Sequence, residues 1–118
     1  MNSKVLFGPS GKPVNYSGPV YKATKYIKDE GLDSFEYGAV HGVRISEKSA
    51  NILKEGSKTN DILVSMHGPY YINLCSTSEE TMDKSVNHLF KAAQAGEWMG
   101  AYRIVFHPGF YSKRDPKI

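Results

Sequence analysis

Two histidines carry the clearest chemical signal. His67 follows the apolar run Ile62-Leu63-Val64-Ser65-Met66, and His107 follows Arg103-Ile104-Val105-Phe106. Each opens a turn rich in Gly and Pro: His67-Gly68-Pro69 and His107-Pro108-Gly109. In parallel α/β architectures, functional groups gather in the loops past the carboxyl ends of strands. Adjacent parallel strands lie ~4.8 Å apart, so imidazoles from two such ends can converge on one ion. Imidazole is a good zinc ligand, and a catalytic zinc typically takes three protein ligands and a water. The sequence offers two strong candidates and no certain third. Read alone, the pair fits loop hydrogen bonds as well as it fits a metal.

The elements that must position these residues alternate in type. Turn chemistry bounds four short strand patterns: Lys4–Phe7, Ser34–Tyr37, Ile62–Met66 and Arg103–Phe106. The last two are nearly continuous apolar runs, as expected for a parallel sheet covered by helices or closed into a barrel. Between them lie three helical patterns. Pro19 suits a first turn, with Val20, Ala23 and Ile27 on one face until Gly31. Ser46 suits an N-cap for a helix carrying Ala50 and Leu53, with Gly56 near its end. Thr77 and Glu80 have capping-box spacing before Met82, Val86, Leu89, Phe90 and Ala93, a stripe that stops at Gly96. The order β-α-β-α-β-α-β favours parallel pairing. Each unit takes about 30–40 residues, the size of a βα unit in a (β/α)8 barrel of about 250 residues. Four strands do not close such a barrel. The pattern therefore describes either a small open α/β sheet or the first half of something larger, and the polar ending from Phe110 to Ile118 reads as a cut, with a short tail as the alternative.

Composition narrows the class. A chain of 118 residues has room for one domain, and 40% hydrophobic with 23% charged residues is ordinary for a globular one. Its net charge of +3 permits a nucleic-acid partner without requiring one, since no dense Lys/Arg block occurs. One cysteine, Cys75, excludes an intrachain disulfide and fits a reducing compartment. No apolar run approaches ~18 residues, and the opening Met1-Asn2-Ser3-Lys4-Val5 lacks a signal-peptide core. A cytoplasmic protein with no membrane partner is the expectation.

The motifs also carry a family resemblance. His67-Gly68-Pro69-Tyr70-Tyr71-Ile72-Asn73-Leu74 resembles the endonuclease IV family's motif of a histidine followed by Tyr-x-Ile-Asn-Leu. Val105-Phe106-His107-Pro108-Gly109 resembles that family's His-Pro-Gly motif. The opening Phe7-Gly8-Pro9-Ser10-Gly11 and the stretch Val40-His41-Gly42-Val43-Arg44-Ile45-Ser46 are similar to its archaeal and bacterial members. The resemblance implies an α/β fold comprising the first three to four βα units of a TIM (β/α)8 barrel, incomplete at 118 residues. It makes residues 1–118 the amino-terminal part of a single barrel domain.

It further implies DNA repair: zinc-dependent hydrolysis of the phosphodiester 5′ to an abasic site in duplex DNA. The family holds three zinc ions. By motif position His67 and His107 are two ligands of one of them, and no other catalytic residue is assigned. The remaining carboxylate and histidine ligands come from later strands, so the resemblance implies no complete trinuclear site in this chain alone. Tyr70 and Tyr71 match a loop that enters the minor groove near the extruded nucleotide, with Tyr at a position where the family can carry an aliphatic residue. Arg44 and His41 are expected to meet DNA phosphate or the minor groove, or to be exposed loop residues.

Other residues read more plainly. Asn73 is expected to brace its loop, Cys75 to be a small loop or buried residue, His88 to lie on a solvated helix edge, and Trp98 and Met99 to pack a helix end. Glu36 lies in a strand and is not assigned as a ligand. A sugar isomerase or epimerase with a related metal barrel would also place histidines at strand ends, but has no need of the Tyr-x-Ile-Asn-Leu run. A non-catalytic half barrel would need a partner, either a second copy or a separate carboxyl-terminal half.

Overall fold

The computed structural model describes residues 4–111 and 114–117. Three parallel strands form the sheet in the order β1-β2-β3: β1 is Ser34–Gly38, β2 is Leu63–His67 and β3 is Arg103–Val105. Helix α1 (Thr24–Asp29) precedes β1, α2 (Glu47–Asn60) joins β1 to β2, and α3 (Glu79–Met99) joins β2 to β3. These are three βα-type units in an open sheet, the incomplete barrel pattern that the strand and helix spacing predicts. The expected tail crosses Ser112, Lys113 and Ile118, and the amino-terminal reading includes Met1–Ser3; these residues lie outside the described ones.

The strand expected over Lys4–Phe7 is not one. The chain instead runs beside β1 one step later, where Asp33 and Ser34 donate their amides to Phe7 O, Glu36 N donates to Pro9 O, and Gly11 N donates to Glu36 O. Pro9 has no N–H to give to a ladder, which leaves a single parallel bridge, Ser10 to Glu36. A Cβ on Gly8 would stand 1.7 Å from Ser34 O, so only glycine lets the two backbones approach this closely.

The helices form for the reasons read from the sequence, with shifted ends. Ser46 caps α2, its Oγ accepting from Ser49 N at 3.1 Å, and Ala50 and Leu53 are buried beneath it. Gly56 does not end α2, which continues to Asn60; a Cβ there would meet Thr24 Oγ1 at 2.6 Å, so the residue allows α1 to pack closely. Helix α3 is capped by Ser78, not Thr77, through Ser78 Oγ and Thr81 N. It passes Gly96 and stops at Met99, with Gly100 in the left-handed conformation.

The expected stripe on α3 is also corrected. Ser85, Ala92, Ala95, Gly96 and Met99 are the buried residues, while Val86 and Phe90 are exposed. Small side chains let α3 lie close to the sheet, with Ile104 pressed against Gly96. The core sits between the helices and one face of the sheet: Ile27, Phe35, Leu53, Val64, Met66 and Met99, with Trp98 and Ile104 packed at its border.

Candidate metal and nucleic-acid site

Parallel register fixes where the two histidines stand. His67 ends β2, opposite Gly38 of β1 and Val105 of β3. Its carbonyl accepts from Ala39 N at 2.9 Å, and Gly68 N donates to Val105 O at 2.7 Å, so the strands are still paired where the loops begin. His107 lies two residues past the end of β3. The two imidazoles face each other, ring centroids 5.3 Å apart and planes 46° apart. His67 Nδ1 lies 2.8 Å from Gly68 O. A carbonyl can only accept, so Nδ1 is the donor in this contact, and the contact leaves Nε2 unused. Such a hydrogen bond is what orients a metal-binding imidazole.

Tyr70 stands beside this pair, 5.5 Å from the His67 ring and 5.8 Å from the His107 ring. His41 meets Tyr70 edge-on at 6.5 Å, and Tyr70 N donates to Val40 O, which ties the loops after β1 and β2 together. Tyr71 leans the other way, 5.8 Å from His88 of α3. Both tyrosines are more than half exposed. Arg44 is exposed on the loop before α2. Of the six residues singled out in the sequence, His67, His107, Tyr70 and His41 form one aromatic cluster, with Tyr71 beside it and Arg44 outside it.

Asn73 holds the arrangement together, the bracing role its position suggests. Its side-chain Oδ1 accepts from Cys75 N at 3.1 Å within its own loop and from Phe110 N at 3.2 Å in the loop after β3. Its backbone N donates to Ser85 Oγ, which donates in turn to Thr81 O of α3. Leu74 N also donates to Pro108 O. A Cβ on Gly109 would lie 2.6 Å from Asn73 Oδ1, which explains glycine in the His107-Pro108-Gly109 turn.

Ser85 was not visible as a site-supporting residue; its only mark in the sequence is a polar side chain on a face that turns out to be buried. His88 is half-buried against Tyr71, not on a solvated edge. Cys75 is a half-buried loop residue, and Glu36 accepts from Ser10 Oγ at 2.6 Å on the face away from the helices.

The donor set suits part of a zinc site. Two imidazoles at neighbouring strand ends match two of the three protein ligands a catalytic zinc usually takes. Among the described residues, no group of three His, Cys, Asp or Glu side chains comes together to hold a metal. Among those same residues, no helix is long and apolar enough to cross a membrane.

The profile of the xylose isomerase-like TIM-barrel family matches residues 24–117, and the chain belongs to that family. Within it, the sequence is 34% identical over 120 residues to an uncharacterized protein of Methanocaldococcus jannaschii, covering 100% of this chain and 42% of that protein. It is 29% identical over 114 residues to a probable endonuclease 4 of Thermoplasma volcanium, covering 92% of this chain and 41% of that one. The chain thus spans less than half the length of these relatives. Among solved structures, endonuclease IV from Thermus thermophilus superposes with a TM-score of 0.65 at 21% identity, over 75% of this chain and 35% of that one. A D-psicose 3-epimerase superposes with a TM-score of 0.63 at 19% identity, over 86% and 37%. These two likenesses bear on the fold alone, that of an incomplete TIM barrel.

Proposed function

We propose that this chain is the amino-terminal part of a single barrel domain that cleaves DNA at abasic sites in base excision repair, with His67 and His107 as two ligands of one zinc ion. The observation that carries this reading is the facing pair of imidazoles at neighbouring strand ends, 5.3 Å between centroids. The similarity to a probable endonuclease 4 supports it. Zinc, when bound, supplies Lewis-acid polarisation of a phosphoryl oxygen and lowers the pKa of a coordinated water.

The chain's own residues do the rest. His67 and His107 hold the ion, and Asn73 keeps their loops in register through Cys75 N and Phe110 N. The exposed rings of Tyr70 and Tyr71 enter the minor groove of duplex DNA beside the abasic nucleotide. Unstacking a base step costs a few kcal/mol, and inserted side chains offset that cost. His41 and Arg44 contact the backbone or groove and add to affinity without reading sequence. The other family zinc ligands come from strands beyond these three. The single Cys75 supports a reducing, cytoplasmic setting.

The test is binding of the chain, with and without zinc, to a duplex carrying a tetrahydrofuran abasic analogue, read by fluorescence anisotropy beside metal content. Zinc-dependent preference for the abasic duplex is expected. His67→Ala and His107→Ala should each lower zinc occupancy, and cleavage by the full-length protein. Unchanged zinc content in both variants overturns the ligand assignment.

The likeness to an epimerase fold favours a second reading, metal-dependent isomerisation or epimerisation of a small sugar. Metal-dependent binding of a sugar in place of duplex DNA would select it. The open sheet face and exposed Val86 and Phe90 support a third, a non-catalytic half barrel completed by a second copy or a carboxyl-terminal half. Sedimentation velocity separates the two forms by size.

A further inference from the structure

We infer that His88 is a positioning residue for Tyr71, holding the exposed phenol in the direction from which it meets DNA; the inference rests on the nuclease reading above. The backbone on either side of Tyr71 is already fixed, since Pro69 and Ile72 are buried and Asn73 is 5% exposed. Asn73 N donates to Ser85 Oγ at 2.8 Å. Ser85 and His88 are three residues apart on α3 and therefore lie on one face. The helix thus touches this loop at two successive levels, at the backbone through Ser85 and at the ring through His88.

The ring contact has ordinary aromatic geometry, 5.8 Å between centroids with planes 42° apart. The half-buried imidazole supports one side of the phenol while Tyr71 stays 56% exposed, which leaves ring surface free for a ligand. Tyr70 differs, since imidazoles of the candidate metal site flank it. Tyr71 is therefore the ring whose direction can be set without touching the metal ligands. A side chain held before binding loses less rotamer freedom when the duplex arrives.

The test uses the same abasic-analogue duplex, with zinc content as a control. His88→Ala should weaken binding by about three- to tenfold, the range expected for freeing one side chain, and leave zinc content unchanged. His88→Phe keeps a flat ring and should restore most of the affinity. The double variant Tyr71→Ala/His88→Ala should bind no worse than Tyr71→Ala, because His88 acts through that ring. Unchanged binding in His88→Ala, or additive losses in the double variant, overturns the inference. If the unsubstituted chain shows no preference for the abasic duplex, the nuclease reading fails and the DNA role of His88 falls with it. The contact itself is then judged by the Tyr71 Hα–Hβ scalar couplings in NMR, which average toward mixed χ1 rotamers in His88→Ala if His88 holds the ring and stay unchanged if it does not.

Discussion

On the face of the sheet that carries the helices, Phe35, Val64 and Met66 are 1%, 2% and 0% exposed, whereas Leu63 and Val105 on the other face are 40% and 42% exposed. Side chains alternate along a strand, so neighbours in sequence end in different surroundings. The second face is also chemically mixed. Glu36, Ser65 and Arg103 stand in register across the three strands, and a hollow of about 420 Å³ lined by Ser10, Ser34, Glu36 and Ser65 opens beside them. A face carrying both polar groups and large aliphatic ones is suited to the layered interior of a closed barrel, where alternate strands contribute to each layer. The nearly continuous apolar run through β2 thus records two kinds of burial, one complete in these three units and one left open by them.

The largest expected effect sharpens that contrast. Met66→Ala should cost about 2–5 kcal/mol, the range for emptying a packed core position, while Leu63→Ala should cost under about 1 kcal/mol, the surface range. Urea unfolding of both variants provides the check. Equal losses would mean that the open face is covered in solution, by a second copy or by further chain.

Asn73→Ala comes next. It removes an acceptor shared by Cys75 N and Phe110 N, and should cost about 1–3 kcal/mol. If these loops orient the histidines, zinc affinity should fall with it; intact zinc affinity would show that the strand ends alone suffice.

A smaller effect concerns Tyr37, packed on the covered side of β1, where burial pushes its phenol above the usual value of 10.0. The unfolded chain ionises at that usual value and the folded one only higher. The stability contribution is therefore complete below pH 10.0 and is lost as pH rises through the raised folded pKa. Tyr37→Phe should flatten the alkaline limb of the pH–stability curve; an unchanged limb would place the loss elsewhere.

The smallest effect belongs to Glu80, whose carboxyl is held low by a hydrogen bond from Lys84 and then by that residue's charge. Its contribution is present above the ordinary value of 4.5 and is lost as pH falls through the lowered one. Because the pair is exposed and screened by salt, Glu80→Gln should leave acid unfolding unchanged at physiological ionic strength. A measurable shift would mean that this face of α3 is shielded from solvent.

The alternation of elements was legible because Gly and Pro punctuate the chain where strands end, and the two histidines stand at those marks. The first expected strand, Lys4–Phe7, does not form: pairing with β1 begins only at Phe7 O, and Pro9, with no N–H to give, holds it to the single bridge between Ser10 and Glu36. The buried face of α3 was misread because hydrophobicity rewards size, whereas close packing onto the sheet selected Ala92, Ala95 and Gly96 and turned Val86 and Phe90 outward. The bracing role of Asn73 was legible from its residue type. Its partner Phe110 was not, since nothing local in the sequence announces a hydrogen bond across two loops.

Surface loops ordinarily absorb insertions and deletions with little consequence. The two loops that carry these histidines cannot do so independently. Asn73 Oδ1 receives an amide from each of them, and the space beside that oxygen admits no side chain at residue 109. Inserting one residue between His67 and Asn73, or between His107 and Phe110, would carry the amide oxygen or its partner out of reach and move one imidazole relative to the other. The lengths of both segments are therefore coupled, and change in one is tolerated only with compensation in the other.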